Sequence, residues 1–222
     1  MKMSESIRRN AILLALFSVI TAGGIAATYI STRDVITANK RAVEEATLLE
    51  ILPRSTHNNI MLDDTFVVDD PEYLHLKTPR NAYVARQDGE PVAVILPLTA
   101  PDGYSGAIQL LVGIYRDGRI AGVRAIEHHE TPGLGDKVEF KKSRWVLGFN
   151  DKSLVNPTPD LWKVRKDKGA FDQFTGATIT PRAVTAAVFR SLQYVEAHRD
   201  TLFAKPEIAP EVTHTPETEA AP

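Results

Sequence analysis

The feature that most constrains this chain is an uncharged run from Asn10 to Thr32, set in an otherwise water-compatible sequence. Ala11–Ile30 is built from Ile, Leu, Val, Phe, Ala and Gly, interrupted only by Ser18, Thr21 and Thr28 as small hydroxyl residues. As a helix, such a run reaches about 34 Å, enough for a hydrocarbon core of roughly 30 Å. It exceeds the apolar region of about 7–15 residues found in a cleaved signal peptide, so an uncleaved anchor over 10–32 is expected. Lys2, Arg8 and Arg9 precede the run, and the flanking charge bias places residues 1–9 in the cytoplasm and the rest across the membrane.

The remainder reads as one domain of ordinary size. The 222 residues carry 26 Lys and Arg against 28 Asp and Glu, and the mean hydropathy is −0.16. That balance excludes a chain whose main partner is nucleic acid and a polytopic membrane protein. Cysteine is absent, which excludes disulfides, a thiol nucleophile, a cysteine-held iron–sulfur cluster and a cysteine zinc site. His128 and His129 are adjacent and would point to opposite faces of a strand, so no metal site is expected from them.

Residues 33–80 read as a stalk helix and a connecting segment. The apolar periodicity of Asp34–Leu52 predicts the helix, and Pro53 ends it. Residues 81–204 read as the functional domain. Two hairpins are predicted, Ala82–Arg86 with Val92–Leu98 across Asp88-Gly89, and Ser105–Tyr115 with Ile120–Glu127 across Asp117-Gly118. The alternation of Ile108, Leu110, Val112 and Ile114 predicts a half-buried strand. Trp145–Phe149 and Trp162–Arg165 are weaker strand candidates, and a helix is expected from Pro181 to about Phe203, with Thr180 as its N-cap. Residues 205–222, rich in Pro and Glu, are expected to be a disordered tail. The fold class is therefore α+β: a membrane helix, then a twisted antiparallel sheet with packed helices.

Two segments have residue types unusual for plain scaffold. In Glu130-Thr131-Pro132-Gly133-Leu134-Gly135, two glycines leave a backbone that a ligand can approach closely. In Asp172-Gln173-Phe174-Thr175-Gly176-Ala177-Thr178-Ile179-Thr180, hydroxyl and carboxylate side chains surround Gly176 and Ala177 at the start of a helix. A helix start suits an anion such as phosphate. No Gly-rich nucleotide fingerprint is present, so no direct NAD or ATP site is indicated.

Together these segments resemble the FMN-binding domain family, which occurs in membrane redox complexes of the Rnf type and of the sodium-pumping NADH:quinone reductase type. Asp172-x-x-Thr175-Gly176-Ala177-Thr178-x-Thr180 is similar to the family's flavinylation motif, Glu130–Gly135 to its second signature, and Gly103-Tyr104-Ser105-Gly106 also fits. Chain length and the Thr-Gly-Ala-Thr form look most like the Rnf branch. The resemblance implies FMN joined by a phosphoester to Thr178, a modification site and not a catalytic nucleophile, attached by a magnesium-dependent flavin transferase that uses FAD. It implies flavin contacts from Thr175, Gly176, Ala177, Asp172, Thr180 and Tyr104. Glu130, Thr131, Pro132, Gly133, Leu134 and Gly135 would lie against the ring, with Pro132 and Leu134 as apolar contacts and backbone N–H groups as donors. The implied role is an electron carrier within a membrane complex, anchored in the bacterial inner membrane with its FMN domain in the periplasm. The alternatives are a membrane-tethered flavin sensor, the sodium-pumping branch of the family, and an envelope domain in which both motifs are only turns.

Overall fold

The computed structural model describes residues 2–204, so the expected disorder of 205–222 lies outside the described residues. Helix α1 spans Lys2–Ile51 and contains one stretch long and apolar enough to cross a membrane. The chain divides into two units, Met1–Thr47 and Leu48–Pro222. In the first, the apolar side chains from Ile12 to Ile30 are exposed, as a lipid-facing helix requires.

The second unit is built on a five-stranded antiparallel meander: β1 (Thr65–Val68), β2 (Arg80–Gln87), β3 (Glu90–Ala100), β4 (Ile108–Tyr115) and β5 (Ile120–Glu127), in that spatial order. The two Asp-Gly turns close the hairpins as expected, with Asp88, Gly89 and Gly118 at positive φ. Pro97 lies in the central strand β3, which its missing N–H would ordinarily forbid. It sits beyond Ile95, where pairing with β2 has ended, and the next outward N–H, that of Thr99, donates to the Leu74 carbonyl at 2.9 Å.

Two cores form, one on each face of the sheet. Val94, Leu96, Leu98, Leu110, Val112 and Ile114 face α2 (Ile179–Ala197) through Val184, Val188, Leu192 and Val195. Ala93, Ile95 and Leu111 face Leu48, Ile51 and Leu52. Strand β4 is therefore not half-buried. Its second face is covered by the last turn of α1, and Gly113 makes the room: a Cβ there would overlap Ile51 Cγ2. Arg124, 6% exposed, closes that end of α1. It donates to the Glu50 carbonyl and carboxylate at 2.8 and 2.9 Å and lies over the Phe140 ring, satisfying one of the orphan helix-end carbonyls.

The weaker strand candidates are not strands. Trp145–Phe149 is a 3-10 turn, and Trp162–Arg165 runs between the 3-10 turns Pro159–Leu161 and Arg165–Asp167. Phe149 and Trp162 are buried in an aromatic cluster in which Phe149 stacks on Phe171 at 4.8 Å and Trp162 tilts against Phe171 at 4.9 Å. Burial of the rings, not a ladder, explains their composition. Helix α2 begins two residues before the expected start and ends at Ala197, followed by the single turn α3 (Arg199–Leu202).

Candidate functional site

The turn after β3, the loop after β5 and the start of α2 meet at one cavity of about 290 Å³. It is lined by Tyr104, Glu130, Thr131, Leu134, Gly135, Gly176, Ala177, Thr178 and Ile179. Segments more than forty residues apart in sequence thus share one wall. Pro132, Gly133, Asp172, Thr175 and Thr180 do not line it.

Glu130 is the joint. It is 4% exposed, and its carboxylate accepts the Ser105 N–H at 3.0 Å and the Thr180 hydroxyl. One side chain therefore ties all three segments together. The packing around it leaves no slack. A Cβ at Gly135 would stand 2.6 Å from Glu130 Oε2 and 2.9 Å from Thr180 Oγ1, and one at Gly103 would stand 3.0 Å from Glu130 Oε1. Glycine is needed at both positions for space.

This contact also explains why Thr180 is not the N-cap. Its hydroxyl is fully buried and bound to Glu130, so α2 starts earlier, with Thr178 at the N-cap and Pro181 in the first turn. Proline is tolerated there because a first-turn N–H has no helical partner to lose. The Thr178 hydroxyl makes no capping bond. It is partly exposed on the cavity wall beside the N–H groups of Ile179 and Thr180, at the positive end of the helix. Gly176, at φ +84°, turns the chain into this position, with Ala177 N–H donating to the Phe174 carbonyl at 3.2 Å.

The 130–135 loop differs from expectation. The N–H groups of Leu134, Gly135 and Asp136 all converge on the Thr131 carbonyl at 3.1, 3.1 and 3.4 Å, and Glu130 N–H donates to His128 Nδ1 at 3.1 Å. These donors are consumed in folding the loop and cannot also serve a ligand. Pro132 points to solvent, and the cavity's apolar side chains are Tyr104, Leu134 and Ile179, exposed by 67%, 42% and 44%. Ile179 escapes sequence reasoning. Its one signal is an isoleucine placed within a run of threonines.

Beneath the loop lies a polar cluster. His128 Nε2 meets Glu139 at 3.0 Å, and since Nδ1 accepts from Glu130, the Nε2 proton is the one donated to Glu139. Lys142 bridges Glu139 at 2.8 Å and Asp136 at 3.0 Å, so within the basic run 137–144 it is committed internally. A backbone hydrogen bond from Gly133, and then Lys142, hold the Asp136 carboxyl below its usual range; Lys142 and His128 do the same for Glu139. Behind the 172–178 loop, Trp145 donates its indole N–H to the Asp172 carbonyl at 2.8 Å and meets the Phe174 ring edge-on at 5.0 Å. The Asp172 carboxylate pairs with Arg165 at 3.0 Å, so it braces the loop from outside the cavity.

The cavity suits an anionic ligand with an apolar ring: threonine hydroxyls, the start of a helix and an open apolar wall line it. Comparison with known proteins supports FMN binding. The FMN-binding domain family matches residues 103–193, and the RnfG N-terminal region matches residues 1–51. The G subunit of the ion-translocating oxidoreductase complex of Pseudomonas aeruginosa is 50% identical over 92% of this chain and 96% of its own. The corresponding proteins of Pseudoalteromonas atlantica and Vibrio cholerae, which carry the same name, are 45% and 43% identical over 91% and 92% of this chain, and over 94% and 97% of their own. Among solved structures, Shewanella oneidensis NqrC aligns over 67% of this chain and 72% of its own, at 23% identity and a TM-score of 0.46. With both signature segments on one cavity and relatives matched almost end to end, the chain belongs to the RnfG family, the G subunits of ion-translocating oxidoreductase complexes.

Proposed function

We propose that this chain is an electron-transfer subunit of a membrane-bound, ion-translocating redox complex, working through FMN esterified to Thr178. One observation carries the reading: the two separated signature segments converge on a single cavity in which the Thr178 hydroxyl has no capping role. FMN held there supplies reversible electron transfer, and the protein supplies attachment, orientation and shielding. The positive start of α2 at Thr178 and Ile179 would hold the phosphate, Tyr104, Leu134 and Ile179 would offer apolar contact to the ring, and Glu130 ties the three segments together.

Threonine is too weak a nucleophile to load itself, so a magnesium-dependent flavin transferase performs the step with FAD. The Thr178 oxygen forms a bond to the FMN phosphorus, the pyrophosphate P–O bond breaks, AMP leaves, and the hydroxyl proton passes to the transferase. The apolar run 10–32 anchors the chain in the inner membrane, with residues 1–9 in the cytoplasm and the flavin domain in the periplasm. Its partners are the other subunits of the complex.

The test is intact mass and in-gel flavin fluorescence of the full chain from a host that expresses the transferase. Wild type should gain FMN less one water, Thr178→Ser should keep that gain, and Thr178→Ala should lose it. An unmodified wild type, beside a control protein that is loaded, would refute the assignment.

A further inference from the structure

Between Lys137 and Arg182 the chain carries ten Lys and Arg against five Asp and Glu, a net of +5 in a protein whose total is −2. Part of that excess is tied to the 172–178 loop and the first turns of α2. Arg165 pairs with Asp172 at 3.0 Å, and the Lys166 N–H donates to Gln173 Oε1 at 3.1 Å. Arg182, one turn beyond Thr178, grips Asp167 with two bonds of 2.5 and 2.6 Å. Trp145, next to Arg144, is bonded to Asp172. The segment 163–168 is thus pinned beside Thr178 from both sides.

These same contacts consume the local carboxylates. Asp167 and Asp172 are each committed to an arginine, while Lys141, Arg144, Lys163, Lys166 and Lys168 are exposed and held in no ion pair among the described residues. The 163–168 segment is also tightly packed. Lys168 takes the left-handed conformation at φ 62°, and a Cβ at Gly169 would overlap the Lys163 carbonyl. A solvated lysine-rich loop needs neither this packing nor a site beside it.

We propose that the Lys163–Lys168 projection docks an acidic face of a neighbouring protein subunit, so that the partner's redox centre is drawn to the flavin cavity. The surface rests on the reading of the chain as an electron carrier. A protein fits it better than a lipid headgroup layer. Val164, the only apolar side chain in the projection, is fully buried, so nothing there inserts among acyl chains as an interfacial anchor does. Opposed charge across such an interface sets encounter and register.

The experiment is zero-length carbodiimide coupling of the intact membrane complex, followed by peptide mass spectrometry. This chemistry joins a lysine amine only to a carboxylate in direct contact. Lys163, Lys166 or Lys168 should couple to Asp or Glu of another subunit. The yield should fall at least about tenfold between about 50 and about 500 mM NaCl, as the screening length drops from about 14 to about 4 Å. The triple variant K163Q/K166Q/K168Q, which removes the amines from solvent-facing positions, should keep its flavin band and slow flavin reduction within the complex. The proposal is overturned if these lysines form no coupling to another subunit while other lysines do. It is equally overturned if the triple substitution leaves flavin reduction unchanged and weakens only binding to phosphatidylglycerol vesicles. The coupling does not depend on bound flavin, so a failure of the flavin assignment shows separately, as a missing fluorescent band.

Discussion

Replacing Glu130 isolates the joint on which the site depends. In Glu130→Ala the Ser105 N–H and the Thr180 hydroxyl both lose a carboxylate acceptor. A hydrogen bond to a charged group contributes about 1.5–3 kcal/mol. Ser105 is exposed and its N–H can turn to water, whereas Thr180 is fully buried and its hydroxyl cannot. The loss should therefore be about 3 kcal/mol, a large share of the roughly 5–15 kcal/mol that holds a domain together. Glu130→Gln keeps the shape and one acceptor oxygen, and its amide can donate to Thr180 Oγ1, so it should cost about 1 kcal/mol. Urea unfolding of the full chain in detergent, followed by tryptophan fluorescence, reads the difference cleanly, because Trp145 and Trp162 are the two tryptophans of the chain and both lie in the second unit. With a slope of about 2 kcal/mol/M, the Ala variant should unfold about 1.5 M earlier than wild type and the Gln variant about 0.5 M earlier. Equal midpoints for Ala and wild type, or a Gln variant as weak as Ala, would refute the reasoning.

Three further outcomes follow from neighbouring contacts. Gly135→Ala should destabilise by about 1–3 kcal/mol through overpacking against Glu130 and Thr180, measured in the same unfolding assay, and should lower flavin loading. Trp145→Phe keeps the ring contact with Phe174 but removes the bond to the Asp172 carbonyl. It should cost about 1 kcal/mol and broaden the flavin emission without abolishing attachment. The Asp136 and Glu139 carboxyls are held below their ordinary values in the folded state. Their contribution is complete above about pH 4, the value in an unfolded chain, and is lost as pH falls through the lower folded values. Lys142→Met should flatten this acid dependence between about pH 4 and pH 2 while lowering the unfolding midpoint at neutral pH, and an unchanged acid profile would show that Lys142 is not the cause.

Much of the fold is legible from short stretches. The run 10–32 can satisfy its backbone in a membrane only as a helix. The pairs Asp88-Gly89 and Asp117-Gly118 fix hairpins because Asp88, Gly89 and Gly118 accept positive φ where most residues do not. Both site segments also announce themselves through glycine and hydroxyl content. What misleads is a local rule that a distant group overrides. Thr180-Pro181 has the form of a helix start, yet the Glu130 carboxylate, fifty residues away, takes the hydroxyl and moves the start to Ile179. Trp145–Phe149 has strand composition, yet Phe149 is buried by other rings.

The sequence by itself determined the long apolar helix, the hairpin meander, the class of the domain and the two segments that line the cavity. Each of these is written in hydrophobic period, turn residues or motif spacing, all interactions within about a dozen positions. Only the tertiary structure decided that the segments share one cavity and that the Thr178 hydroxyl on its wall makes no capping bond. It also decided that the N–H groups of Glu130, Leu134 and Gly135 are bonded in folding their own loop, and that Arg165 and Lys166 are tied to the 172–178 loop while Arg182 holds Asp167. These depend on which buried polar groups find partners across the fold. Because an unpaired buried donor or acceptor is so costly, that pairing is settled by packing of the whole chain and not by any one stretch of it.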